Sequence, residues 1–116
     1  NGQELATAVQ YGAKTIIVLL NNGMFGTIRM HQEREYPQRV AGTALANPDF
    51  CALAQAYGYA AARITRTDEF EPALLAALQR AQGTLIELML DPQVISTRTA
   101  LDAITQAALE REQERR

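Results

Sequence analysis

Thr15-Ile-Ile-Val-Leu-Leu20 sets the strongest limit on how this chain can fold. It is a continuous β-branched and leucine run without polar alternation, the pattern of a strand covered on both faces within a parallel sheet. It ends at Asn21-Asn22-Gly23, a turn signal. A second run, Thr84 to Leu90, is interrupted by Glu87 and stopped by Asp91-Pro92. Ala60 to Thr65 is a shorter strand candidate. Helical patterns separate these strands, so the connections are crossovers. The expected fold is α/β, a three-layer α/β/α arrangement around a mainly parallel sheet.

The helical segments carry their own punctuation. Asn1 can cap a first helix with Glu4 at the third position, Leu5, Ala8 and Val9 form its apolar face, and Gly12 stops it. Met24 to Arg34 has helical composition, with Phe25, Ile28 and Gln32 along one side and a weak first turn at Gly26. Tyr36-Pro37 ends it. Residues 37 to 47 have no period and form a long loop, which makes them a functional candidate. Asn47-Pro48-Asp49 places a cap, a proline and an acid before Phe50, Leu53, Ala54 and Tyr57, which fall on one helical face closed by Gly58. Phe70, Leu74, Leu78 and Ala81 share the face of a further helix that ends by Gly83, and a last helix spans about Thr99 to Arg115.

Composition narrows the class. The 116 residues suffice for one core, so residues 1–116 are expected to be a single module. With 47% hydrophobic and 21% charged residues the chain is ordinary globular material. A net charge of −2 gives no electrostatic reason to expect nucleic acid or anionic lipid as a partner. A single cysteine, Cys51, excludes an internal disulfide and fits a reducing cytoplasm. Neither the apolar run Ile16 to Leu20 nor any other in the sequence is long enough for a membrane span. The sequence has no initiator Met and opens on a helix start, so it reads as a piece of something longer.

Ligands of open parallel sheets sit beyond the carboxyl ends of the strands, and the strand end with unusual chemistry here is Leu20-Asn21-Asn22-Gly23. Two asparagines are explained by a turn alone. They also suit a hard cation: Mg²⁺ takes oxygen ligands, and the Asn22 carbonyl with the main-chain oxygen of Met24 has the reach to supply two where a diphosphate brings the charge. Gly23 lets the backbone come close to such a ligand. His31 reads as a surface histidine rather than a proton carrier, Cys51 as a small buried hydrophobe, and Tyr57 as a core residue with its hydroxyl at the edge. The charge-dense stretch from Arg29 to Arg39 reads as a solvated face before a lid.

Asn1-Gly-Gln-Glu-Leu-Ala-Thr-Ala, a hydrophobic strand, and then Asn21-Asn22-Gly23-Met24-Phe25-Gly26-Thr27-Ile28-Arg29 resemble the second half of the thiamine diphosphate signature. That signature opens with Gly-Asp-Gly, closes with Asn-Asn, and marks the diphosphate-binding domain of the acetolactate synthase, benzoylformate decarboxylase and pyruvate oxidase group. The similarity continues through Asn47-Pro48-Asp49-Phe50, Ala54, Tyr57-Gly58 and Leu85-Ile86-Glu87-Leu88.

The resemblance implies the thiamine diphosphate-binding fold, truncated at its N-terminal side. It implies Asn22 as side-chain Mg²⁺ ligand and Met24 as main-chain ligand. Gly23, Phe25 and Gly26 would shape the loop around the diphosphate, with Thr27 and Ile28 near the thiazolium and the substrate pocket. Gly-Asp-Gly is absent from this sequence. So is the family's catalytic glutamate, which comes from the pyrimidine-binding (PYR-type) domain of a neighbouring subunit, so no residue here is expected to be catalytic. The parent enzyme would be a cytoplasmic homo-oligomer acting on a 2-oxo acid, as a lyase or transferase. The segment by itself would be inactive, would bind thiamine diphosphate and Mg²⁺ weakly or not at all, and would self-associate through uncovered apolar surface. The competing reading is a non-catalytic α/β assembly or regulatory module that keeps the fold without cofactor chemistry.

Overall fold

The computed structural model describes residues 1–115. The elements are α1 (Glu4–Gln10), β1 (Ile16–Asn21), α2 (Gly26–Glu35), α3 (Phe50–Ala56), β2 (Ala60–Ile64), a 3-10 turn (Thr67–Glu69), α4 (Phe70–Gln79), β3 (Thr84–Met89) and α5 (Leu101–Glu114). The three strands form one parallel sheet in the order β1-β3-β2. The α/β class and the crossover connections are as the sequence implies. The chain divides into two compact units, residues 1–21 with 47–89, and residues 22–46 with 90–116.

The first unit is the sheet and its helices. Parallel register sets Ile17 beside Leu85 and Val18 beside Ile86, and successive side chains alternate between the two faces. On one face Ile17, Leu19, Leu85 and Ala61 pack with Leu5 and Ala8 of α1, with Phe50, Cys51 and Ala54 of α3, and with Tyr59. On the other, Ile16, Ala62, Ile64, Ile86 and Leu88 pack with Phe70, Ala73, Leu74 and Ala77 of α4. The inner face of α4 is therefore Phe70, Ala73, Leu74 and Ala77, while Leu78 is exposed and Ala81 lies beyond the helix.

β3 is covered on both sides and Ile86 is 0% exposed. β1 is not, although its sequence is the more apolar run: Val18 is 40% and Leu20 64% exposed. β1 lies at one end of the strand order, and the α4 side chains packed on that face meet β2, β3 and only Ile16 of β1. Among the described residues, then, β1 is covered on one face, and on the other only at Ile16.

Two caps also differ from expectation. Gln3, not Asn1, stands at the start of α1, and no side chain caps it. In α3 the cap is Asp49, whose Oδ1 accepts the Ala52 N–H at 3.0 Å. Asn47 lies outside that helix. Tyr59 is the buried tyrosine, its hydroxyl 2.7 Å from Thr15 Oγ1, whereas Tyr57 is half-buried at the end of α3. Gly83 leaves room for that ring: a Cβ there would stand 2.3 Å from Tyr59 Cε1.

The second unit joins the packing of α2 on α5 to a set of polar contacts. Met24 and Ala44 form an antiparallel bridge, flanked by Phe25 N–H to Thr43 O and Leu45 N–H to Gly23 O, each 2.9 Å. Gln32 grips the backbone of Ala41 twice, donating at 2.8 Å and accepting at 3.1 Å. Glu33, 4% exposed, pairs with Arg29 at 2.9 Å and accepts the Gln38 N–H at 2.8 Å. The charge-dense segment is therefore not a uniformly solvated face. Burial alone would push the Glu33 carboxyl up, but the Gln38 N–H, Arg29 and Thr105 of α5 outweigh it and hold it below the ordinary glutamate value. Leu101 and Ala108 of α5 are buried, and the Arg111 guanidinium donates to Arg34 O at 3.2 Å. Gln32 serves the Ala41 backbone, and Phe25 and Ile28 are half-exposed, so the apolar stripe assigned to α2 is not a core face.

Candidate functional site

Asn21 and Asn22 are adjacent in sequence and opposite in duty. The Asn21 carboxamide is engaged at both ends: its Nδ2 donates to Glu87 Oε1 at 2.8 Å, and its Oδ1 accepts from Asn47 Nδ2 at 2.9 Å. The Asn22 Oδ1 accepts the Met24 N–H at 3.2 Å, closing an Asx turn over Gly23. Gly23 has φ +68°, a left-handed conformation that a side chain would strain.

The bridge fixes how Met24 is turned. Met24 and Ala44 are the non-hydrogen-bonded pair, because the bonds run through the residues on either side. The N–H and C=O of Met24 therefore point away from Ala44, toward the side where the N–H meets Asn22 Oδ1. One side of the turn thus carries two neutral oxygens, Asn22 Oδ1 and Met24 O. Among the described residues no three His, Cys, Asp or Glu side chains come together as a metal group. Two neutral oxygens suit a hard cation whose charge is met by an anionic ligand, since Mg²⁺ keeps other positions for phosphate oxygens and water.

Gly26 leaves the Asn22 carboxamide room. A Cβ there would meet Asn22 Nδ2 at 2.9 Å and Ile95 Cδ1 at 3.3 Å, so a side chain at this position would push the Asn22 carboxamide aside. No side chain caps α2, and its first internal bond is the Arg29 N–H to Phe25 O. The N–H groups of Gly26, Thr27 and Ile28 have no partner within the helix, and the positive end of its dipole lies there, which favours an anion.

Met24, Phe25, Gly26, Thr27 and Ile28 line a shallow open depression of about 360 Å³. Phe25 and Ile28 stand half-exposed at it, a surface that an amphipathic ligand can cover. All seven residues singled out from the sequence, Asn22 to Ile28, form this one loop and helix start. His31, on α2, is exposed and outside the depression. Cys51 is half-buried rather than buried, and its thiol donates to Glu87 Oε2 at 3.6 Å. Burial first, and then the Glu87 carboxylate, push that thiol's pKa up, which makes it a poor nucleophile.

Sequence reasoning missed the surroundings of Asn21. Glu87, 1% exposed, accepts from Asn21, from Arg63 Nε at 2.8 Å and from Cys51. Arg63 also pairs with Asp49 at 2.7 Å. Burial alone would raise the Glu87 carboxyl, but the Asn21, Arg63 and Cys51 donors outweigh it and hold it below the ordinary glutamate value. The available signal was a lone charge in the middle of the apolar run Thr84 to Leu90.

Residues 1–88 match the family described as "Thiamine pyrophosphate enzyme, C-terminal TPP binding domain", thiamine pyrophosphate being another name for thiamine diphosphate. The acetolactate synthase large subunit of Haemophilus influenzae is 40% identical over 78 residues, covering 66% of this chain and 14% of that protein. That of Parasynechococcus marenigrum is 37% identical over 90 residues, covering 76% and 15%. The acetolactate synthase isozyme 3 large subunit of Escherichia coli is 36% identical over 84 residues, covering 72% and 15%. The chain thus spans about one seventh of the length of the curated relatives it matches. No helix among the described residues is long and apolar enough to cross a membrane. The match over residues 1–88 and these relatives lead to one conclusion: the chain belongs to the C-terminal TPP-binding domain family of thiamine pyrophosphate enzymes.

Proposed function

We propose that this chain is the diphosphate- and Mg²⁺-binding part of a thiamine diphosphate-dependent enzyme that acts on 2-oxo acids, of the acetolactate synthase kind. The observation that carries the reading is the Asx turn of Asn22 over Gly23, closed on the Met24 N–H, which runs directly into the uncapped start of α2. In this reading Asn22 and Met24 hold the metal, and Gly23, Phe25 and Gly26 shape the loop against the diphosphate. Thiamine diphosphate supplies the electron sink for decarboxylation and for carbon–carbon bond formation. The chain's own part would be to bind, orient and shield: helix-start N–H groups would meet the phosphate charge, and Phe25 and Ile28, with Thr27 between them, would border the cofactor.

The two protein ligands are neutral, so the metal depends on the diphosphate, and the pair bind together or hardly at all. In this reading the site is completed by another domain, the PYR-type domain of a neighbouring subunit in a cytoplasmic homo-oligomer. Residues 1–116 alone then bind the cofactor weakly and do not turn over substrate.

The test is titration calorimetry with thiamine diphosphate, with and without Mg²⁺, on the full-length protein that carries this segment. Metal-dependent binding is expected, weakened at least about tenfold by Asn22→Ala and by Gly26→Ala, the scale on which a lost ligand or its support is felt. Binding that is indifferent to Mg²⁺ and to both substitutions would instead favour the non-catalytic module.

A further inference from the structure

Glu87, Arg63, Asp49, Asn47 and Asn21 form a closed circuit. Glu87 Oε1 accepts from Asn21 Nδ2 at 2.8 Å and Oε2 from Arg63 Nε at 2.8 Å. Arg63 Nη2 donates to Asp49 Oδ1 at 2.7 Å. From Asp49 the chain runs back through Pro48, whose ring fixes its φ, to Asn47, and Asn47 Nδ2 donates to Asn21 Oδ1 at 2.9 Å. The circuit has a direction. An ionised carboxylate only accepts, so Glu87 obliges Asn21 to present its NH₂ inward, and the Asn21 carbonyl must then turn to the NH₂ of Asn47. Glu87 is 1% exposed and cannot exchange this partner for water.

Beyond the ligand assignment above, and resting on it, we propose that Glu87 and Asn47 are positioning residues for the metal turn. They lock the carboxamide of Asn21, the residue immediately before Asn22, between Glu87 and Asn47, and so hold the backbone from which Asn22 is presented to a divalent cation carrying a diphosphate. With Asn21 released, the turn has more orientations to lose on binding and the cation is held less tightly. The circuit also gives Asn47-Pro48-Asp49 a purpose that helix capping alone does not, since only Asp49 caps α3.

The test uses the full-length protein and reads the apparent Kd for Mg²⁺ at fixed thiamine diphosphate, beside the melting temperature of the apo-protein. Asn47 is exposed, so Asn47→Ala is expected to leave the melting temperature unchanged and raise the Kd about tenfold, as loss of a residue that orients a ligand does. Asn47→Asp turns a carboxylate toward the Asn21 oxygen and is expected to weaken Mg²⁺ at least as much, although its added negative charge alone would tighten binding. Adding Glu87→Gln should restore near wild-type affinity. The carboxamide introduced by Glu87→Gln can donate to Asn21 and still accept from Arg63, so Asn21 turns over and donates to the new carboxylate at position 47. Wild-type Mg²⁺ affinity in Asn47→Ala, or a double variant no better than Asn47→Asp, would overturn the proposal. Asn22→Ala separates the two levels. If it leaves Mg²⁺ binding unchanged, the ligand assignment has failed; if it abolishes binding while the Asn47 variants do not change it, only the circuit has.

Discussion

The two units of this chain are built by different forces. In residues 1–21 and 47–89 the buried side chains are mostly apolar, among them Ile86, Leu85, Ile64, Tyr59, Ala54 and Ala77, and the charge among them, Glu87, is met by three donors. In residues 22–46 and 90–116 the buried side chains include Glu33 and Thr43 beside Leu101 and Ala108, and the backbone is fastened by Gln32, Glu33 and the Met24–Ala44 bridge. Apolar burial tolerates any shape that excludes water, whereas hydrogen bonds demand particular directions. The sheet unit is thus a scaffold, and the loop unit presents oriented oxygens and N–H groups.

The contrast breaks most readily at Ile86. Ile86→Ala empties a site with no solvent access and is expected to cost about 2–5 kcal/mol by denaturant unfolding, the range for a deleted core isoleucine. A loss below about 1 kcal/mol would mean that the sheet unit is not held by its apolar core. Gly83→Ala comes next, because the new methyl must displace the Tyr59 ring. A loss of about 1–3 kcal/mol is expected, in the range for overpacking. Asn22 binding properties should survive both changes wherever the protein still folds.

Acid probes both units through their glutamates. The Glu33 and Glu87 carboxyls lie below their ordinary value of 4.5. A lowered folded pKa means that the stabilisation is fully present above the unfolded value and is lost as pH falls through the folded value. Stability should therefore hold above about pH 5 and decline below 4.5, and Glu33→Gln and Glu87→Gln should each flatten that decline. Hydrogen exchange sharpens the assignment: Glu33→Ala should release the Gln38 amide and the α2 backbone while β3 stays protected. The smallest effect is at Thr84, whose buried Oγ1 has no hydrogen-bond partner among the described residues. Thr84→Val is expected to be neutral or stabilising by up to about 1 kcal/mol in thermal unfolding, since it removes an unmet polar group without changing shape.

The scaffold was legible because periodicity reports burial. Thr15 to Leu20 and Thr84 to Leu90 read correctly as strands, and Phe50 and Ala54 as an inner helical face. Periodicity did not report which neighbours each strand has. β1 and β3 look alike in sequence, yet Leu20 stands 64% exposed where Ile86 is sealed, because cover depends on strand order and on where α4 lies. The α4 face failed for a related reason: Leu78 fits the stripe on the helix surface but lies outside the patch that meets the sheet. In the loop unit no period marks a site. Residues 22–28 were picked out by a motif and by oxygen chemistry, while the roles of Glu33, Gln32 and Glu87 depend on partners distant in sequence.

The central claim is that Asn22 and Met24, and not Asn21, face the metal. Its most direct test is a crystal structure of the full-length protein with thiamine diphosphate and Mn²⁺ in place of Mg²⁺, with the metal located by its anomalous signal. The account predicts the peak within direct coordination distance of Asn22 Oδ1 and Met24 O, with Asn21 still bound to Glu87 and Asn47. A metal on the Asn21 oxygen, or one with no protein ligand between residues 21 and 28, would contradict it.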